Sequence, residues 1–168
     1  MTTPVFGFTS ALAVFCSQNY GACSFERIRQ GIKNTFALSY AVSAAIMAAV
    51  ALCAKPLMVF LLNGDPVGVN AGRTYLFIRG FSMFILIIPS ILKNALSALG
   101  RPLFPAVSGF VEIASRFAVP ILLTETLGFA AVPLTDTISW LIIGLLLIFA
   151  YQIEIKKVKT TLLSKEKI

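Results

Sequence analysis

Histidine is absent from the 168 residues. That removes the side chain most used as a general base near neutral pH and the usual nitrogen ligand of zinc. Charge is scarce as well: Asp, Glu, Lys and Arg together make up 12% of the chain, about half of what a soluble domain carries. The three cysteines, Cys16, Cys23 and Cys53, form no CxxC pair, and their number is odd. They fit neither a thiolate metal cluster nor a disulfide framework, and are expected to act as small apolar fillers. No glycine-rich phosphate loop of the P-loop form occurs, so ATP-driven chemistry is not encoded. Ser97 and Ser108-Gly109 have no histidine to activate them. The apolar stretch 5–15 lacks the basic segment that precedes a signal-peptide core. The sequence therefore offers no catalytic residue, no metal site and no cofactor, and an enzyme is not expected.

What it has in excess is apolar surface. Hydrophobic residues make up 58% of the chain, and the mean hydropathy is +0.89. A water-soluble fold of this size would expose large apolar patches, so the expected solvent is a lipid bilayer. A spanning helix needs about 20 mostly apolar residues. Four windows meet that need, at about 34–62, 74–99, 103–127 and 129–153. The first begins with Asn34–Ala54, a stretch without charge, and ends at the turn signal Asn63-Gly64-Asp65-Pro66. The second contains Pro89, which predicts a kink near Ile85–Pro89, and stops at Gly100-Arg101-Pro102. Residues 5–15 resemble a partial helix, half a span long. Residues 16–33 are expected to form an amphipathic cytoplasmic connector, with Phe25, Ile28, Ile32 and Phe36 on one line. Residues 154–168 make a basic tail. The expected fold is all-α: a polytopic membrane bundle of four full spans and a partial N-terminal helix.

The basic residues sort by side. With four spans, the connector, the 100–102 turn and the tail share one side. They carry Arg27, Arg29, Lys33, Arg101, Lys156, Lys157, Lys159, Lys165 and Lys167. The other side holds only Lys55 and Arg73 near its boundaries, with Asp65, Glu125 and Asp136. Positive charge marks the cytoplasmic side, which predicts a multi-pass protein of the cell (inner or plasma) membrane with a cytoplasmic C-terminus. The net charge of +7 then reports orientation, and nucleic acid is not an expected partner.

Five polar residues fall inside the spans: Arg79, Lys93, Asn94, Glu112 and Arg116. A charge at mid-bilayer costs about 2.5–3.5 kcal/mol, so such residues turn toward protein or a water-filled cavity. Glu112 and Arg116 stand four apart with the acid first, the favourable order for a helical ion pair. Two roles stay open for them: a self-compensating pair that docks the helix, or a polar site on a translocation path. Lys93 either snorkels toward the near interface or faces a cavity beside Pro89. Arg79 is expected to snorkel toward the opposite interface. Trp140 is expected in the bundle interior, as packing or as a stacking surface for an aromatic substrate.

Two motifs carry a family resemblance. Gln18, Asn19, Gly21 and Ala22 form a Q-N-x-G-A stretch ahead of a basic amphipathic segment. Leu92, Leu96, Ala98, Leu99 and Gly100 are followed by Ser108, Gly109, Glu112 and Arg116, an L-x-x-x-L-x-A-L-G turn and then S-G-x-x-E-x-x-x-R. With the layout of Pro133 and Trp140 in the last helix, the chain resembles MATE (multidrug and toxic compound extrusion) transporters over nearly its whole length. The resemblance implies twelve helices in two six-helix lobes around a cleft, exchanging cationic, often aromatic drugs or metabolites for H⁺ or Na⁺. It implies that this chain supplies the end of helix 8 and helices 9 to 12, part of a C-terminal lobe, and that its missing partner is the lobe containing helices 1–7. Some sodium-coupled members carry an acid in helix 10. Thr74–Leu99 has none and carries Arg79 and Lys93 instead. Two other readings accompany efflux: a lipid-linked oligosaccharide flippase of the same superfamily, with Arg79, Lys93 and Arg116 suited to a pyrophosphate lipid, and a nonfunctional truncated remnant.

Overall fold

The computed structural model describes residues 2–63, 65–127 and 131–165. They form five helices: α1 (Thr3–Gly21), α2 (Phe25–Leu61), α3 (Pro66–Ala98), α4 (Leu103–Leu127) and α5 (Ala131–Lys165). Four stretches are long and apolar enough to cross a membrane, Phe25–Leu61, Pro66–Ala98, Leu103–Leu123 and Leu134–Leu162. The fold is a helical membrane bundle, as the hydropathy pattern predicts. The part of the expected 125–129 turn beyond residue 127, and the last three residues of the tail, lie outside the described residues.

The helix ends depart from the sequence reading in three places. α1 continues to Gly21 through the polar residues that suggested a connector. It can do so because those side chains bond within the helix. Ser17 donates to the Ala13 carbonyl at 2.8 Å, and the Asn19 amide donates to the Phe15 carbonyl at 2.8 Å. The amphipathic stretch is the first part of α2, with no break before the span. Ile28 and Ile32 point into the protein core and not into the membrane surface, while Arg27, Arg29 and Lys33 are exposed. The basic tail remains helical to Lys165, because Val158 and Leu162 complete the same core.

Two turns at this end share one hydrogen-bond pattern. After α3, Arg101 N–H donates to the Leu96 carbonyl and Gly100 N–H to that of Ser97. After α1, Ser24 N–H donates to Asn19 and Cys23 N–H to Tyr20. Both are Schellman closures, which need one left-handed residue. Gly100 takes that role with φ +71°, as its predicted helix-stop position requires, and Cys23 takes it with φ +55°. Cys23 is thus a turn residue, and it also packs against the core as a small apolar filler. At the opposite end Asp65 caps α3, its carboxylate accepting from Gly68 N–H at 2.8 Å, with Pro66 in the first turn.

α3 is the central post. Met83, Ile87, Ile91, Ala95 and Leu99 recur every four residues and meet Val5, Leu12 and Cys16 of α1 and Ile28 and Ile32 of α2. Leu92 and Leu96 face Ile143, Leu147 and Ala150 of α5. α3 is helical on both sides of Pro89. A Cβ at Gly144 would lie 3.7 Å from Ile88 and Pro89, at ordinary van der Waals distance, so α5 runs close beside α3 at the proline. α4 leans on α5 and leaves Leu103, Phe110, Phe117 and Ile121 exposed along one stripe, the surface expected of a helix whose solvent is lipid.

Candidate functional site: a charged cavity inside the bundle

The polar residues singled out within the spans converge on one space. A cavity of about 400 Å³ is lined by Arg79, Lys93, Asn94, Glu112, Arg116 and Trp140, with Pro89 in its wall. α3 supplies Arg79, Pro89, Lys93 and Asn94; α4 supplies Glu112 and Arg116; α5 supplies Trp140. Phe6 of α1 adds a second aromatic ring to the lining. On α3, Lys93 stands fourteen positions after Arg79, so the polar wall runs for roughly 21 Å along the helix.

The charges form a chain. Lys93 Nζ lies 3.9 Å from one carboxylate oxygen of Glu112. The other oxygen accepts from Arg116 at 3.0 Å, the helical pair that the four-residue spacing predicts. Arg116 also reaches Asp136 at 3.5 Å. Asp136 in turn pairs with Arg79. Two carboxylates thus hold three cations, in the order Lys93, Glu112, Arg116, Asp136, Arg79. None of these side chains is fully sealed; Asp136 is 25% and Glu112 30% exposed. Such pairing lowers the cost of charge in a low-dielectric surround.

Arg79 does more than pair. Its guanidinium carbon lies 4.9 Å from the centre of the Trp140 ring. Trp140 is nearly buried at 5% exposure, which meets the expectation of an interior tryptophan and gives its face a cation. The expected snorkelling of Arg79 gives way to an inward contact, and the reason is the start of its helix. α3 begins at Pro66, eight residues before the predicted window, which sets Arg79 roughly 20 Å from the helix end. Lys93 likewise turns to the cavity and Glu112. Asn94 donates to the Ser90 carbonyl at 2.9 Å, so its amide is tied to its own helix while it lines the space.

Asp136 stands near the start of the last span, as its sequence position suggests, but its part in the network could not be read from that position. It is the hinge of the network, because both arginines meet there. Arg79 and Asp136 are 57 residues apart, and no local spacing joins them. Ser82 and Thr137 bond through their hydroxyls across the same α3–α5 interface. The Q-N-x-G-A residues lie elsewhere. Gln18, Asn19 and Gly21 form the last turn of α1, and Ala22 opens the turn to α2. Asn19 is buried and bonded to Phe15, which makes this motif a helix end outside the charged cavity.

A separate ion cluster occupies the other end of α5. Glu154, with its side chain 8% exposed, pairs with Arg101 at 3.2 Å and accepts from Lys157 at 2.7 Å. It ties the turn between α3 and α4 to α5. Among the described residues no group of three His, Cys, Asp or Glu could hold a metal ion.

Residues 1–123 match the family model described as MatE. No curated protein and no solved structure matches the chain.

Proposed function

Because the chain belongs to the MatE family of membrane transporters, we propose that it takes part in secondary active efflux of organic cations in exchange for H⁺ or Na⁺. One observation supports this reading above the others. The cavity already holds a planar cation between an aromatic face and a carboxylate, Arg79 between Trp140 and Asp136. An aromatic cation entering from the cleft would use the same two attractions, a ring quadrupole and an acid. It would compete with Arg79 for Asp136, and Glu112 is the other acid of the same network. Glu112 and Asp136 are the two groups there able to take up H⁺ or Na⁺ when a cation leaves. In this reading the chain forms one wall of a two-lobed carrier, and rocking of the lobes alternates access to the cleft.

A second reading draws on the charge count. Arg79, Lys93 and Arg116 outnumber Glu112 and Asp136 by one, and a net positive wall suits the pyrophosphate of a lipid-linked oligosaccharide. The two separate in one comparison. The protein is reconstituted in proteoliposomes and tested for uptake of a fluorescent organic cation under an imposed H⁺ or Na⁺ gradient, beside a flipping assay with a pyrophosphate-linked lipid. Gradient-driven cation movement supports efflux. Lipid flipping without it overturns efflux in favour of the flippase, and activity in neither assay overturns transport by this chain.

A further inference from the structure

We propose that the basic end of the bundle holds an anionic phospholipid, with the phosphate headgroup between α2 and α5 and one acyl chain in the groove between α1 and α2. The headgroup space is a cavity of about 420 Å³, lined by the α1–α2 turn, Phe25, Arg27, Lys159 and Leu162. Arg27 is exposed in the first turn of α2, and Lys159 is exposed late in α5. The two cations come from helices far apart in the sequence, and core packing brings them together: Ile28 and Ile32 against Val158 and Leu162. Lys159 Nζ stands 5.9 Å from the Phe25 ring centre, which orders it at the mouth. Glu26 also reaches this cavity, yet among the described residues neither Arg27 nor Lys159 makes an ion pair. Both charges are available to an external anion.

A second space, between α1 and α2, begins one turn further along α2. Phe8, Leu12 and Phe15 of α1 and Gly31, Asn34 and Leu38 of α2 line a space of about 360 Å³. At 100° per residue, Arg27, Gly31, Asn34 and Leu38 fall on one stripe of α2, so Arg27 heads the groove. Phe15 and Leu38 are 39% and 50% exposed, an apolar surface open to the membrane side. A cationic mouth above an apolar slot has the chemistry of a phosphate ester with a hydrocarbon tail. Basic pockets beside spanning helices hold such headgroups, and the apolar slot selects a lipid over free phosphate.

The test uses the purified chain in neutral detergent and its thermal unfolding midpoint. Three additions are compared at equal concentration: phosphatidylglycerol, phosphatidylcholine with the same acyl chains, and inorganic phosphate. We expect phosphatidylglycerol alone to raise the midpoint. In R27Q/K159Q the concentration giving half of that rise increases by roughly 30-fold, since each basic side chain near the headgroup contributes about a factor of five. K33Q/K156Q, which removes two other exposed cations of the same end, keeps the wild-type response. An equal rise with phosphatidylcholine overturns the proposal, as does a full rise with phosphate alone. So does an unchanged response in R27Q/K159Q, or an equal loss in K33Q/K156Q, which would make the binding diffuse. Should R27Q/K159Q fail to fold, R27Q alone alters one exposed side chain and is read in the same way.

Discussion

α5 carries two acids that each meet two cations, and the two clusters behave differently. Glu154 is nearly buried, and Arg101 and Lys157 close around it at 3.2 and 2.7 Å. Asp136 is three times more open, and it shares Arg116 with Glu112, which holds that arginine at 3.0 Å against 3.5 Å. In the first cluster each cation serves one acid: Lys157 from the same helix and Arg101 from the α3–α4 turn. In the second a cation can pass from one carboxylate to the other at small cost. A closed clamp suits anchoring, and a shared cation suits a site whose occupants change.

The largest break in this comparison comes from Asp136→Asn. Arg79 loses its acid inside the bundle, and Arg116 is left with Glu112 alone. Transport in the proteoliposome assay should fall by roughly ten-fold or more, with Asp136→Glu recovering part of it. If Asp136→Asn folds and transports as wild type, the cavity network is only structural. Glu154→Gln comes next and should act on stability instead. Loss of two charge-assisted bonds costs about 2 kcal/mol, seen as a lower unfolding midpoint in detergent with transport kept in the folded fraction. A transport defect at unchanged stability would erase the contrast between the clusters. Glu112→Gln should be the mildest. Arg116 keeps Asp136, and the half-exposed Lys93 keeps solvent, so the stability loss stays near 0.5 kcal/mol and transport falls by no more than about three-fold. Loss of H⁺ or Na⁺ coupling in that variant, with substrate binding intact, would place the coupling role on Glu112.

Local spacing explains what could be read in advance. Glu112 and Arg116 are neighbours on any helix, so their ion pair needed no tertiary knowledge. The long apolar windows gave four spans because hydropathy measures the property that decides insertion. Gly100 before Arg101-Pro102 announced its own turn. Helix ends misled where polar side chains satisfy themselves inside a helix, as Ser17 and Asn19 do. They misled again where an amphipathic stripe faces protein, as Ile28 and Ile32 do against Val158. Asp136 was out of reach for a different reason. Its partner Arg79 belongs to another helix, and the two meet only once α5 packs on α3. The five cavity residues were legible one by one as costly charges in lipid, and their meeting in one space was not.

α5 runs unbroken from Ala131 to Lys165, and it therefore also works as a lever. Asp136 and Glu154 are eighteen residues apart on it, about 27 Å along the axis. A tilt of about 10° pivoting at the cavity would swing Glu154 by roughly 5 Å, further than the 3.2 Å that now separates it from Arg101. Any rearrangement at Asp136 large enough to tilt the rod must release the clamp at its far end, and a clamp that stays shut holds the cavity in its present shape.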